Sequence, residues 1–119
     1  MEITTLQEIV VSALEDIKAK DIEVIDTTRL TALFERIVIA SADSNRQTRA
    51  LARNVQEKAK EAGGEVISVE GEESGEWVLV DLGAIVVHIM QPAIRSYYNL
   101  EELWATGKAP APRRAAAAG

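Results

Sequence analysis

The hydrophobic positions along the chain follow a helical period in two segments and strand-like patterns in five others. Apolar residues recur at helical spacing over Ile3–Ile17 and again over Leu51–Ala62. Shorter apolar or alternating stretches, typical of strands, cover residues 21–27, 34–40, 65–70, 77–82 and 85–90. This order predicts an α/β fold: a single-domain mixed five-stranded sheet flanked by helices.

The longest nearly uninterrupted apolar run, Trp77–Met90, predicts a β-hairpin with Gly83 and Ala84 in its turn. One face of this hairpin is aliphatic and is expected in the core. Its cross-strand pairs are Val78–Ile89, Val80–Val87 and Leu82–Ile85. The other face pairs Trp77 with Met90, Leu79 with His88 and Asp81 with Val86. Either a helix of the same chain covers this mixed face or a partner binds it.

The segment after the hairpin is rich in aromatic residues. Pro92 is expected to end the strand and to begin a short helix over residues 92–98, followed by another turn over residues 100–104. We interpret Trp104 as a packing residue, and Tyr97 and Tyr98 as residues that contact a partner. Residues 1–104 are predicted to form the domain, and residues 105–119 an Ala/Pro-rich disordered tail.

The charge of the chain narrows the choice of partner. The net charge is −6, and the three cations among residues 105–119 leave −9 for the part up to Trp104. Such a domain repels the nucleic acid backbone and suits a basic protein. The chain has no cysteine, which fits a reducing compartment. It shows neither a signal pattern nor an apolar run of membrane-spanning length, so we expect a cytoplasmic protein without membrane contact.

Few residues suggest catalysis or metal binding. His88 is the single histidine, and with no cysteine present a zinc site is not expected. Asp21 and Glu23, together with Asp26 or Asp81, are able to chelate magnesium in a nucleotidyltransferase-like enzyme, which is the alternative function. Such enzymes need a Gly-Ser loop upstream, and the chain has none there. A solvated acidic rim is the simpler interpretation, formed by Glu15, Asp16, Asp21 and Glu23.

Several short motifs occur in a characteristic order between Leu14 and Trp104. They are Lys20–Ile22 (KDI), Val38–Ala40 (VIA), Ser44–Gln47 (SNRQ), Glu70–Gly71 (EG), Trp77–Gly83 (WVLVDLG), Val86–Met90 (VVHIM) and Tyr98–Trp104 (YNLEELW). With these motifs the sequence resembles the ribosomal silencing factor family, RsfS, also called the Iojap family. It departs from the family pattern at Ser41-Ala42, where Thr-Gly is usual, and at Ala84, where Asp is usual.

The resemblance implies a nucleotidyltransferase-like fold without the catalytic motif, and a protein that is not an enzyme and needs no cofactor. It further implies binding to the large ribosomal subunit through its ribosomal protein fourteen, with a minor contact to ribosomal RNA. Such binding prevents the small subunit from joining and represses translation, and the family is also linked to late assembly of the large subunit. We expect a homodimer when the protein is free.

The mixed hairpin face and the family resemblance together define the predicted contact residues. These are Trp77, Leu79, Asp81, His88, Met90, Tyr97 and Tyr98. Trp77 is expected to be the energetic centre, because tryptophan is enriched at interface hot spots. The acidic rim, including Asp81, is expected to orient a basic partner more than to add affinity.

Overall fold

The computed structural model describes residues 1–105, which form one sheet with helices on both of its faces. In chain order the elements are α1 (Ile3–Asp16), β1 (Lys20–Asp26), β2 (Arg36–Ser41), α2 (Asn45–Glu61), β3 (Ser68–Glu70), β4 (Trp77–Asp81), β5 (Ile85–Met90), α3 (Pro92–Tyr98) and α4 (Leu100–Ala105). The strand order is β1-β2-β5-β4-β3. The β2–β5 pair is parallel and the other pairs are antiparallel. The predicted single-domain mixed sheet is confirmed, while the predicted tail lies, apart from Ala105, outside the described residues.

The β4–β5 hairpin has the predicted register. Its pairs include Trp77–Met90, Leu79–His88 and Asp81–Val86. Gly83 adopts a φ of 90° in the turn, and the Leu82 N–H donates to the Ile85 carbonyl at 2.9 Å. A positive φ at the first central residue is the requirement of a type II′ turn. Gly83 therefore allows the chain to reverse within two residues.

Helices α1 and α2 cover one face of the sheet and enclose the larger of two core clusters. The aliphatic face of the hairpin lies here, as predicted. From α2, the apolar stripe Leu51, Val55 and Ala59 packs against it, and Ser44 Oγ caps the helix by accepting from the Gln47 N–H at 3.1 Å. Among residues 1–105, none of the helices combines the length and the hydropathy that a membrane span requires.

The opposite face of the sheet is covered by α3, α4 and the loop between β1 and β2. Phe34 from this loop and Trp104 from α4 are in T-shaped contact, with ring centroids 5.6 Å apart. Together with Leu100 they pack on β2 and β5 in the second core cluster. Every residue of β5 is consequently buried, as expected for a central strand with both faces covered.

Strand β1 forms an edge of the sheet and is interrupted by a β-bulge. Its register against β2 shifts between Lys20 and Glu23, and Asp21 lies at a φ of 50° within the bulge. A bulge bends and twists an edge strand, which makes it a poor template for pairing with another chain. The bulge also interrupts the regular alternation that the sequence predicts for a strand over residues 21–27, where Asp21 and Glu23 lie.

Candidate protein-binding surface

Three aromatic rings form a continuous row where the start of β4 meets the end of α3. The ring centroids of Trp77 and Tyr98 are 4.9 Å apart, and those of Tyr97 and Tyr98 are 5.0 Å apart. Tyr97 is 82% exposed and Tyr98 is 44% exposed. Leu79 follows Trp77 on the same face of β4, and both are half-buried. We call Trp77, Leu79, Tyr97 and Tyr98 the aromatic surface.

The local sequence explains why α3 ends beside Trp77. Helix α3 begins at Pro92, two residues after Met90, which is the cross-strand partner of Trp77. Proline suits this first turn because its missing N–H is not needed there. The helix stops at Asn99, which adopts a left-handed φ of 48°, a conformation that asparagine tolerates better than most residues. The helix is therefore short, and of its last two residues Tyr98 contacts the indole ring while Tyr97 contacts Tyr98.

Arg95 fastens α3 to the rest of the fold. Its Nη1 donates to Ser41 Oγ at 2.8 Å, and its Nε donates to Glu101 Oε2 at 2.6 Å. The Arg95 side chain is largely buried, so these bonds are shielded from water and from salt. They join α3 to the end of β2 and to α4. The aromatic surface is thus carried by an anchored element rather than by a free loop.

A shallow groove of about 140 Å³ lies next to the aromatic surface and is lined by Glu70, Gly71, Trp77 and Leu79. Gly71 is required at this place, because a Cβ atom there would lie 2.0 Å from the Trp77 carbonyl oxygen and its φ is 87°. The chain thus approaches the backbone of β4 more closely than any side chain permits.

The acidic loop over residues 71–76 borders this groove and is tied to α2. Arg49 donates to the carbonyl oxygens of Glu72 and Glu73, each at 2.7 Å. The backbone of the loop is held in this way, while the carboxylates of both glutamates are exposed. Glu70, which lines the groove, and Glu76 are exposed as well, so the segment over residues 70–76 presents four exposed acidic residues.

Two of the predicted contact residues, His88 and Met90, are buried. His88 is 2% exposed and Met90 is 0% exposed, because Phe34, α3 and α4 cover this part of the hairpin face. The prediction that these two side chains touch a partner directly is corrected: the chain's own helices cover them. His88 Nδ1 instead accepts a hydrogen bond from the Trp77 indole N–H at 3.1 Å, so it lies behind the aromatic surface.

Asp81, another predicted contact residue, lies at the far end of β4 from Trp77. Its Oδ1 accepts from the Gly83 N–H at 2.8 Å, so the carboxylate stabilises the hairpin turn. The residue is nevertheless half-exposed. It therefore remains available at the margin of the surface, together with Trp77, Leu79, Tyr97 and Tyr98.

The carboxylates of the alternative, enzymatic interpretation are not gathered into a metal site. Asp21 and Glu23 border a polar groove of about 470 Å³ with Arg95 and Glu101. Of the two residues expected to complete the set, Asp26 accepts hydrogen bonds from Thr28 and Asp81 accepts one from the Gly83 N–H. Within residues 1–105, no group of three or more His, Cys, Asp or Glu side chains is placed to hold a metal ion. The arrangement of these residues gives the magnesium-dependent enzyme no support.

Comparison with known proteins points to a single family. A family model described as ribosomal silencing factor during starvation matches residues 1–117. The ribosomal silencing factor RsfS of Chromobacterium violaceum is 57% identical over 104 residues, which cover 87% of this chain and 85% of that protein. The mouse protein named mitochondrial assembly of ribosomal large subunit protein 1 is 31% identical over 100 residues, which cover 82% of this chain and 44% of that protein. A crystal structure of a protein from Chromobacterium violaceum is similar with a TM-score of 0.87 at 56% identity, covering 88% of each chain.

Proposed function

The chain belongs to the ribosomal silencing factor family, and from this premise we propose that it binds the large ribosomal subunit through ribosomal protein fourteen of that subunit. Binding at the face that meets the small subunit prevents the two subunits from joining and so represses translation. A second consequence of the same contact is a role in late assembly of the large subunit. The name of the mouse relative, which refers to assembly of the mitochondrial large subunit, supports the choice of the large subunit as partner.

The observation that carries this proposal is the exposed row of Tyr97, Tyr98 and Trp77. Rings of this size seldom lie side by side at a surface without a partner, and tryptophan and tyrosine are enriched at interface hot spots. The row is held on β4 and on the anchored helix α3. A surface that is ordered before binding loses little conformational entropy when the partner arrives. It is therefore suited to bind a folded protein face.

The charge around the groove indicates the chemistry of that partner. Glu70 lines the groove beside Trp77, and three further glutamates are exposed in the loop that leads to β4: Glu72, Glu73 and Glu76. These carboxylates repel the phosphates of ribosomal RNA and attract lysine and arginine side chains. The main contact is consequently with a basic ribosomal protein, and any contact with ribosomal RNA is minor. Electrostatic attraction of this kind accelerates and orients the encounter more than it adds affinity.

The proposed mechanism is steric and needs no chemical step. The described part of the chain measures 33 × 32 × 22 Å. When bound on the joining face, a body of this thickness keeps the two subunit surfaces apart by more than the roughly 4 Å over which atoms make direct contact. Repression then depends on how much of the large subunit is occupied. We place the protein in the cytoplasm, where free subunits are found.

Cosedimentation tests the proposal directly. The purified full chain is mixed with isolated large subunits, with isolated small subunits, or with both, and is separated on sucrose gradients. We expect it to comigrate with the large subunit alone and to lower the amount of joined ribosomes. Tyr97→Ala removes the most exposed ring of the surface and should weaken both effects, whereas Leu33→Ala removes an exposed side chain between β1 and β2 and should change neither. Absence of comigration at low salt would contradict the proposal, and magnesium-dependent nucleotide binding would then be examined with Asp21→Asn and Glu23→Gln.

A further inference from the structure

We infer that His88 is a positioning residue that acts on the partner only through Trp77, by holding the indole ring in its binding orientation. This inference rests on the proposed function of the aromatic surface and assigns to a buried side chain a part in the recognition that the surface performs. His88 lies on β5 opposite Leu79. It is almost fully buried, so it has no direct access to a partner.

The direction of the Trp77–His88 hydrogen bond is set by chemistry. An indole N–H donates and never accepts, so at a distance of 3.1 Å His88 Nδ1 must be the acceptor. A neutral imidazole that accepts at Nδ1 carries its proton on Nε2. The bond therefore requires one tautomer of His88 in its neutral form. No aliphatic or phenyl side chain at residue 88 is able to replace it.

The indole ring is held by this bond together with two ring contacts. The imidazole of His88 lies with its centroid 5.9 Å from that of Trp77, at an interplanar angle of 46°. The ring of Tyr98 lies 4.9 Å away at 50°. Ring contacts of this kind, like the packing of Trp77 against the second core cluster, are only weakly directional. The hydrogen bond is directional, and it selects the orientation in which Trp77 borders the groove.

Loss of the acceptor should weaken binding to the large subunit more than it lowers the stability of the fold. Without His88 Nδ1, the indole N–H must turn toward water to find an acceptor, and the ring moves with it. The partner then meets a mixture of indole orientations and loses the benefit of the preordered surface. The expected weakening is about three- to tenfold, the range of one net hydrogen bond.

The test is a double-mutant cycle on large-subunit binding, combined with NMR of the indole group. His88→Phe keeps a ring but removes the acceptor, whereas His88→Asn keeps an acceptor atom attached to Cγ, where Nδ1 is attached in histidine. Trp77→Phe keeps an aromatic ring and removes the donor. We expect His88→Phe to weaken binding by about three- to tenfold alone and by less than about twofold in the Trp77→Phe background. His88→Asn should recover part of the affinity.

The indole N–H resonance gives an independent readout that does not involve the ribosome. In His88→Phe it should shift and exchange faster with solvent, and in His88→Asn it should move back toward the position in the unchanged protein. Two results would overturn the inference: equal weakening by His88→Phe in both backgrounds, or unchanged binding in a variant whose indole resonance has shifted. If His88→Phe does not fold, the same cycle is run with His88→Leu, which also removes the acceptor. Failure of the unchanged protein to bind large subunits would overturn the proposed function and the positioning role with it, while the resonance would still report the hydrogen bond.

Discussion

The two tryptophans of the chain occupy opposite environments. Trp104 is 1% exposed and packs against Phe34 in the second core cluster. Trp77 is half-buried, borders the groove and contacts Tyr98. The first side chain stabilises the fold, and the second is available to a partner. The pair thus offers a matched comparison of the same residue type in two roles.

Replacement of each tryptophan by alanine should separate folding from binding. We expect Trp104→Ala to lower the free energy of unfolding by about 3–5 kcal/mol, the usual cost of deleting a large buried ring. Trp77→Ala should weaken large-subunit binding by about 2 kcal/mol or more, as at other hot spots, with a smaller effect on stability. Denaturant unfolding and cosedimentation measure the two quantities. A Trp77→Ala protein that loses mainly stability would show that Trp77 is a core residue.

At the residue scale, Asp26 makes a pH-dependent contribution to the stability of the folded protein. Hydrogen bonds from the Thr28 hydroxyl and backbone N–H, with a smaller effect of Arg36, lower the pKa of Asp26. A carboxyl group whose pKa is lowered by folding stabilises the protein above its unfolded pKa, and this contribution is lost as the pH falls through the folded pKa. Thr28→Val should therefore raise the pKa of Asp26 in an NMR titration. The stability difference between the two proteins should shrink in acid, and an unchanged titration would contradict this assignment.

At the scale of elements, the acidic loop over residues 71–76 connects β3 to β4 and is hydrogen-bonded to α2. Thr48 Oγ1 donates to the Gly75 carbonyl at 2.5 Å, and Arg49 holds the carbonyls of Glu72 and Glu73. At its start, Gly71 lies directly against the Trp77 carbonyl. The course of this loop therefore determines where its acidic side chains lie relative to the aromatic surface.

Gly71→Ala should disturb both the loop and the groove. The new Cβ would lie 2.0 Å from a backbone oxygen, so either the loop or the start of β4 must move. Gly83→Ala is the matched control, since φ is 90° there but the nearest atom to a new Cβ is 3.9 Å away. We expect a cost of roughly 1–2 kcal/mol at Gly83 from backbone strain alone, and a larger loss of stability and of subunit binding at Gly71. Denaturant unfolding measures the loss of stability in both variants. Equal losses would show that the close packing of Gly71 against the Trp77 carbonyl is unimportant.

At the scale of the whole molecule, one surface is proposed to serve two associations. An exposed aromatic patch that is free of its partner is able to pair with its own copy in a symmetric dimer. The edges of the sheet are less suited to this, since β1 is bulged and β3 has only three residues. The dimer and the complex with the large subunit then exclude each other.

This competition is measurable by sedimentation velocity. We expect Tyr97→Ala to reduce both self-association and large-subunit binding, because the 82% exposed ring lies at the outer end of the aromatic surface. Leu33→Ala should leave both unchanged. Added large subunits should draw the protein from the dimer into a complex with one copy per subunit. A Tyr97→Ala protein that binds subunits weakly but still dimerises would place the dimer interface elsewhere.

Much of the fold could be predicted because it depends on local periodicity. The alternation of Trp77–Asp81 and the glycine at residue 83 were sufficient for the register of the hairpin. The apolar stripe of α2 and the cap at Ser44 likewise define that helix with little help from the rest of the chain. Periodicity also separated the aliphatic hairpin face from the mixed one, because residues two apart in a strand share a face.

The sequence by itself therefore determined the elements, the pairing of β4 with β5 and the composition of the surface around Trp77. Only the tertiary structure decided how far that surface is covered. The surface is covered because Phe34 packs against Trp104 and because Arg95 donates a hydrogen bond to Ser41. Both contacts join segments that are far apart in the chain. Such contacts follow from the packing of whole elements and leave no period in the local sequence. For this reason His88 and Met90 are buried, although they share the mixed hairpin face with Trp77 and Leu79. Tyr97 and Tyr98, by contrast, are exposed.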